Sequence, residues 1–169
     1  MKRGHSRTPP VLIAGGGPVG LFCALLLGRR GLHVRLFEAC ASPQEDPRAA
    51  TTHPATLEVL GEAGLVEDMA RLGLVAPIVQ FWDRPTGSLV AEFDHATLKE
   101  DTSYPFVVQC EQFKTAELIL QRLRSLPNVE ILFNHEVVDV SQTEHSVSVR
   151  VRGADGITTH DGIYVIGAD

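Results

Sequence analysis

The feature that most constrains this chain is a short apolar run that breaks straight into glycines. Val11-Leu12-Ile13-Ala14 has the pattern of a strand buried on both faces, and Gly15-Gly16-Gly17-Pro18-Val19-Gly20 follows at once. Pro18 to Arg30 then reads as a helix, with Pro18 in its first turn and Gly31 past its end. Gly15, Gly17 and Gly20 take the three positions of G-x-G-x-x-G. The first glycine permits the tight turn out of the strand, the second lets backbone approach a pyrophosphate, and the third lets helix and strand pack closely. The helix start adds free N–H groups and a partial positive charge suited to phosphate. His33 to Glu38 reads as the next strand, and its last residue lies 18 residues past Gly20. A carboxylate there accepts hydrogen bonds from ribose hydroxyls and repels a 2′-phosphate. The combination predicts a dinucleotide with a free ribose diol. The alternative is a glycine turn beside a solvated glutamate, and at this point FAD and NAD both remain open.

Beyond Glu38 the chain departs from simple strand–helix alternation. Ala39 to His53 is polar and carries Pro43 and Pro47, so it reads as a loop, and Ala55–Ala63 and Leu65–Leu72 read as short helices hinged at Gly64. Ile78–Trp82 and Leu89–Phe93 flank Pro85-Thr86-Gly87-Ser88 as a hairpin, which places Phe81 and Trp82 in a core; Asp94 to Asp101 reads as a solvated loop. Phe106 to Val108 leads into a helix from Phe113 to Ser125, with Phe113, Ala116, Ile119, Leu120 and Leu123 on a buried face. Val129 to Phe133 is a strand. Val147, Val149 and Val151 alternate with polar residues as in a half-exposed antiparallel strand, turned back at Gly153–Gly156 towards Ile157–Thr159. Ile163–Ile166 is the last strand. The class is α/β with an antiparallel insert.

Several functions are excluded on composition and spacing. A formal net charge of −6 offers no basic field to nucleic acid. The 3 cysteines, Cys23, Cys40 and Cys110, form no paired framework, which predicts a reducing, cytoplasmic setting; Cys23 reads as a packed small residue. Lys2, Arg3 and Arg7 precede an apolar stretch as in an export leader, but the glycines interrupt it, and no run reaches the ~20 apolar residues that span a bilayer. Residues 1–9 read as a flexible tail. The histidines show no i, i+4 pair, so no metal site is expected, and no serine lies in a G-x-S-x-G elbow. His53-Pro54 reads as a helix start.

From Arg48 onward the sequence resembles the flavin-dependent aromatic hydroxylases related to para-hydroxybenzoate and 3-(3-hydroxyphenyl)propionate hydroxylases. The resemblance runs from about Pro10 to Asp169 and covers the N-terminal part of such enzymes. Four segments carry it: Val11–Glu38; Pro47-Arg48-Ala49 with Thr56-Leu57-Glu58-Val59-Leu60 and Gly64-Leu65; Val107–Gln112 with Leu126-Pro127-Asn128-Val129; and Tyr164–Asp169. It implies a Rossmann-like FAD-binding domain of the glutathione-reductase type over residues 10–169, with an antiparallel β insert and incomplete at its C-terminal end. It implies FAD contacts at Gly15, Gly17, Pro18, Val19, Gly20, Glu38, Arg48, Gln112 and Asp169. Arg48 would reach the pyrophosphate, to which a guanidinium forks well. Gln112 would contact the flavin nucleotide; Gln109 is its competitor and reads better as a strand-end amide. Asp169 would lie near the pyrophosphate and bear on use of the nicotinamide donor.

The implied activity is hydroxylation of a small phenolic substrate with NADH or NADPH and O2, with no partner nucleic acid or membrane. No catalytic acid or base is assigned. Two features depart from the pattern: Ala39 stands where relatives often carry a basic residue, and Asp169 is not followed by the glycine of the Gly-Ala-Asp-Gly segment. Half of the flavin pocket that the resemblance implies is absent, so the 169-residue chain alone is expected to turn over no substrate. The alternatives are a truncated, non-catalytic dinucleotide-binding module and a fragment of an NAD-dependent dehydrogenase. Substrate identity and oligomeric state stay open.

Overall fold

The computed structural model describes residues 8–45 and 49–169, in two compact units. Most of the tail expected over residues 1–9, and Arg48 with its neighbours Asp46 and Pro47, lie outside the described residues. Chain order begins β1 (Val11–Ala14), α1 (Pro18–Arg29), β2 (Val34–Glu38), β3 (Thr51–Thr52), α2 (Pro54–Glu62) and α3 (Val66–Leu72). It continues β4 (Leu74–Ala76), β5 (Ile78–Asp83), β6 (Ser88–Asp94), β7 (Val107–Gln109) and α4 (Gln112–Leu123). The last elements are β8 (Val129–Phe133), β9 (Glu136–Gln142), β10 (Val147–Gly153), β11 (Gly156–Gly162) and β12 (Tyr164–Gly167).

The first unit comprises the described residues up to 45 together with 119–169. Its centre is a parallel sheet of order β12-β1-β2-β8. β1 and β2 are the inner strands: β1 is an apolar run and β2 buries Val34, Leu36 and Phe37, with Leu12, Ile13 and Leu36 fully buried. α1 follows β1 and ends with Gly31 in the left-handed region, φ +80°. Gly28 near that end is required by packing: a Cβ there would lie 2.4 Å from Val129 Cγ2 on β8. Asn128 secures the same end, its amide donating to the carbonyls of Gly28 (2.9 Å) and Leu32 (2.6 Å).

An antiparallel sheet of order β11-β10-β9 completes this unit, with Gly156 at φ +108° in the β10–β11 turn. The alternation read in β10 holds: Val147, Val149 and Val151 are buried and form a core with Leu12 and Phe37 of the parallel sheet. The polar face carries cross-strand ion pairs, Arg152 to Glu136 at 2.6 Å and Arg150 to Asp139 at 3.6 Å.

The second unit, described over 49–118, holds α2, α3, a small sheet of order β3-β7-β4, the β5–β6 hairpin and the first half of α4. Leu57, Leu65, Met69, Val107 and Val108 are fully buried in it. Gly64 at φ +69° is the hinge between the two short helices, and Gly87 at φ +66° closes the hairpin turn. Three expectations change here. Phe81 and Trp82 are 56% and 54% exposed, not core residues. Their hairpin is a two-stranded ribbon, so Phe81 packs edge-on against Phe93 at 5.9 Å and Trp82 Nε1 donates to Gln80 Oε1 at 3.2 Å. The stretch after β6 is exposed but not a plain loop: His95–Leu98 forms a 3-10 turn that Asp94 caps by accepting from the Ala96 amide. On α4, Ala116, Ile119 and Leu123 are buried as expected, whereas Phe113 and Leu120 are half-buried and Thr115 and Leu118 are buried instead.

Candidate functional site

The C-terminal ends of β1, β2 and β12 meet at the glycine loop, and backbone hydrogen bonds clamp them there. The Gly15 amide donates to Phe37 O at 2.9 Å and the Ala168 amide to Ala14 O at 2.7 Å. Gly15 sits at φ +105°, a conformation that disfavours a Cβ, and a Cβ there would lie 2.5 Å from Ala168 O and 2.7 Å from Asp169 N. Gly20 is pressed from the other side: its Cβ would lie 2.0 Å from Gly15 O. Gly17 differs from both. It is the N-cap of α1, and a Cβ built on it meets nothing within 4 Å. Two glycines therefore serve the packing of the turn, and the third leaves an open space over the helix start.

Pro18 is the first helical residue and carries no N–H; Val19 and Gly20 follow with first-turn amides that have no intrahelical acceptor. Val19 is 65% exposed. Glu38 ends β2 beside the loop: the Gly16 amide donates to its Oε2 at 2.5 Å and the Cys40 amide to its Oε1 at 2.8 Å. The carboxylate thus ties the glycine loop to the end of β2 and keeps lone pairs for a hydroxyl donor. Gly15, Gly17, Glu38 and Asp169 all line one cleft of ≈ 750 Å³, within the range of small-molecule and cofactor sites.

The far wall of that cleft is β9 with the turn before it, from His135 to Val140, a strand that sequence reasoning did not single out. Its signal was the run of Val137, Val138 and Val140 directly before the β10 alternation. Gln112 is the first residue of α4, half-buried, and belongs to the second unit. Gln109 ends β7, where its amide oxygen accepts from Thr51 Oγ1 at 2.9 Å. His53 is the N-cap residue of α2. Among the described residues no group of three or more His, Cys, Asp or Glu side chains is arranged to hold a metal, and no helix is long and apolar enough to cross a membrane.

The sequence profile described as FAD binding domain matches residues 8–169. The chain belongs to this FAD-binding family. Membership decides between the two dinucleotides that the glycine loop and Glu38 leave open: the cofactor is FAD. The residues present fit that group, since the space over Gly17 is clear of side chains and backbone and an acceptor stands at the end of β2.

Relatives include aromatic-compound monooxygenases. Para-nitrophenol 4-monooxygenase of a Pseudomonas species is 36% identical over 146 residues, covering 86% of this chain and 36% of that enzyme. The 3-(3-hydroxy-phenyl)propionate/3-hydroxycinnamic acid hydroxylase of Klebsiella pneumoniae is 30% identical over 154 residues, covering 88% of this chain and 26% of that enzyme. The crystal structure of p-nitrophenol 4-monooxygenase from Pseudomonas putida superposes with a TM-score of 0.91 at 33% identity, over 96% of this chain and 41% of that one. The chain thus spans well under half the length of these relatives, and the part it spans is the FAD-binding portion.

Proposed function

We propose that this chain is the FAD-binding portion of a flavin-dependent monooxygenase that hydroxylates a small phenolic ring with O2 and NADH or NADPH. The observation that carries the reading is the open space over Gly17, bordered by Glu38 and Asp169 in one cleft. In this reading residues 10–169 act as one FAD-binding domain. The pyrophosphate lies over Gly17 against the free amides of Val19 and Gly20, following Gly15 and Pro18 through the turn, while Glu38 accepts from the ribose diol. Arg48 forks onto the phosphate oxygens, Gln112 contacts the flavin nucleotide, and Asp169 stands near the pyrophosphate.

When bound, FAD would supply the redox chemistry by which two electrons from the nicotinamide donor and O2 place one oxygen atom on the ring and release the other as water. This chain's own residues bind and orient the cofactor, and none of them is assigned as a catalytic acid or base. The substrate is an aromatic small molecule, and the setting is the cytoplasm, in keeping with three cysteines that are all free.

The test is to supply the purified 169-residue chain with FAD, NADH or NADPH, O2 and a set of phenols. The expected outcome is retained FAD and no hydroxylated product. Hydroxylation by the chain alone would overturn the division of labour, and tight binding of NAD without FAD would overturn the flavin reading itself.

A further inference from the structure

We propose that His160 is a positioning residue for the adenosine side of the cleft: its neutral imidazole, accepting from Arg35, steadies β2 behind Phe37 and Glu38, and protonation of that ring releases the hold. The proposal rests on the reading of the cleft as the FAD site.

His160 lies on β11 opposite Val149, the central buried residue of β10, so its side chain faces the parallel sheet. Its ring stands 4.9 Å from the buried ring of Phe37, and its Nδ1 is 3.0 Å from Arg35 Nη1. Arg35 and Phe37 alternate onto the same face of β2, so one imidazole touches both. A guanidinium donates and never accepts. Nδ1 must therefore offer its lone pair, which puts the ring proton on Nε2, where Thr158 Oγ1 accepts it at 3.0 Å. Arg35 is fixed from its other side by Glu130 of β8, Nε to Oε2 at 2.6 Å. The chain of contacts runs from β11 through His160 and Arg35 to β8, across the strand that ends in Glu38.

An imidazolium at this place loses its acceptor role and meets a cation. Burial first and Arg35 second push the His160 pKa below the ordinary imidazole value; His135, from the turn after β8, acts in the same direction. Glu130 on β8 and Asp161 on its own strand oppose the shift without reversing it. The sign follows. Between the lowered folded value and the ordinary unfolded value of about 6.5, the unfolded chain binds the extra proton. Stability from this contact is thus complete above about pH 6.5, falls as the pH drops towards the folded value, and is flat below it. Because Phe37 lines the cleft and Glu38 holds the Gly16 and Cys40 amides, loosening β2 weakens the site as well as the fold.

The experiment is titration of the full chain with FAD at about pH 7.5 and about pH 5.5, for the natural sequence and for His160→Asn, whose Oδ1 can replace Nδ1 as acceptor and does not titrate. The expected result is a loss of affinity of about threefold in acid for the natural chain, since its imidazole is only partly protonated there, against no measurable loss for His160→Asn, with equal affinities at the higher pH. Parallel losses in the two proteins overturn the proposal while leaving the FAD site standing. No FAD binding at either pH overturns the reading of the cleft, and the link to the cofactor with it. Should His160→Asn fail to fold, imidazole 15N shifts of the natural chain and of Arg35→Gln give a second readout. A neutral Nε2–H tautomer whose midpoint rises in Arg35→Gln supports the proposal; an Nδ1–H tautomer or an unmoved midpoint overturns it.

Discussion

The same methyl group added at Gly20 and at Gly17 should damage two different properties. At Gly20 the new Cβ would lie 2.0 Å from Gly15 O, 3.1 Å from Gly15 C and 3.4 Å from Ala168 Cβ. Favourable heavy-atom contacts begin near ~3.5 Å. The carbonyl cannot simply move aside, because Gly15 N and Ala168 N are both engaged in the hydrogen bonds that align β1 with its neighbours. Overpacking of this kind costs about 1–3 kcal/mol, and against a fixed backbone atom the upper half applies. Replacing a helical glycine by alanine returns about 0.8–1.0 kcal/mol. The net expectation for Gly20→Ala is a destabilisation of about 1–2 kcal/mol, or a fall in Tm of about 2–8 °C for a domain of this size. At Gly17 the new methyl meets nothing within 4 Å, and φ −68° with ψ 178° is open to any residue. Gly17→Ala should cost no more than about 1 kcal/mol, the difference between glycine and alanine at an N-cap. It should nevertheless weaken FAD binding at least about tenfold, or ~1.4 kcal/mol, because the methyl takes the space over the helix amides. Thermal melts and flavin-fluorescence titrations read the two effects. A Gly17→Ala protein that binds FAD as tightly as the natural chain refutes the placement of the pyrophosphate. A Gly20→Ala protein that melts with the natural chain refutes the packing of the turn.

Other substitutions probe the parts around that turn. Glu38→Ala removes the acceptor of the Gly16 and Cys40 amides and of the proposed ribose contact; FAD affinity should fall by about 1.5–3 kcal/mol in titration, and an unchanged affinity removes Glu38 from the site. Asn128→Ala strips donors from the carbonyls of Gly28 and Leu32. A loss of about 1–3 kcal/mol in urea unfolding is expected, and no loss would mean that water replaces the amide. Burial pushes the Cys110 thiol up, and the residue is 1% exposed. A thiol reagent at neutral pH should label Cys110 only on unfolding, and prompt labelling in the folded chain would contradict its place in the core.

The stretch from Val11 to Glu38 was legible because each of its residues answers a local demand. An inner strand must be apolar, a turn pressed against Ala168 needs Gly15, and a helix start tolerates Pro18. That the Glu38 carboxylate would bind two backbone amides was not legible, since it depends on where the loop carries Gly16 and Cys40. Phe81 and Trp82 show the opposite difficulty. Alternation identifies a strand, but burial depends on whether a second layer covers it, and the hairpin ribbon exposes both. On α4 the period was right and the phase was turned, so that Thr115 is buried with its hydroxyl directed at Cys110 Sγ while Phe113 is only half-covered. β3 and β4, of 2 and 3 residues, are too short for alternation to register, and their pairing with β7 creates them.

The central claim is that the cleft between the glycine loop, Glu38 and β9 holds FAD. Backbone 1H–15N shifts recorded while FAD is added to the full chain test it most directly. The amides of Gly15 to Gly17, Val19, Gly20, Glu38 and His135 to Val140 should move together as the cofactor binds. Shifts that spare these residues while FAD binds elsewhere would contradict it.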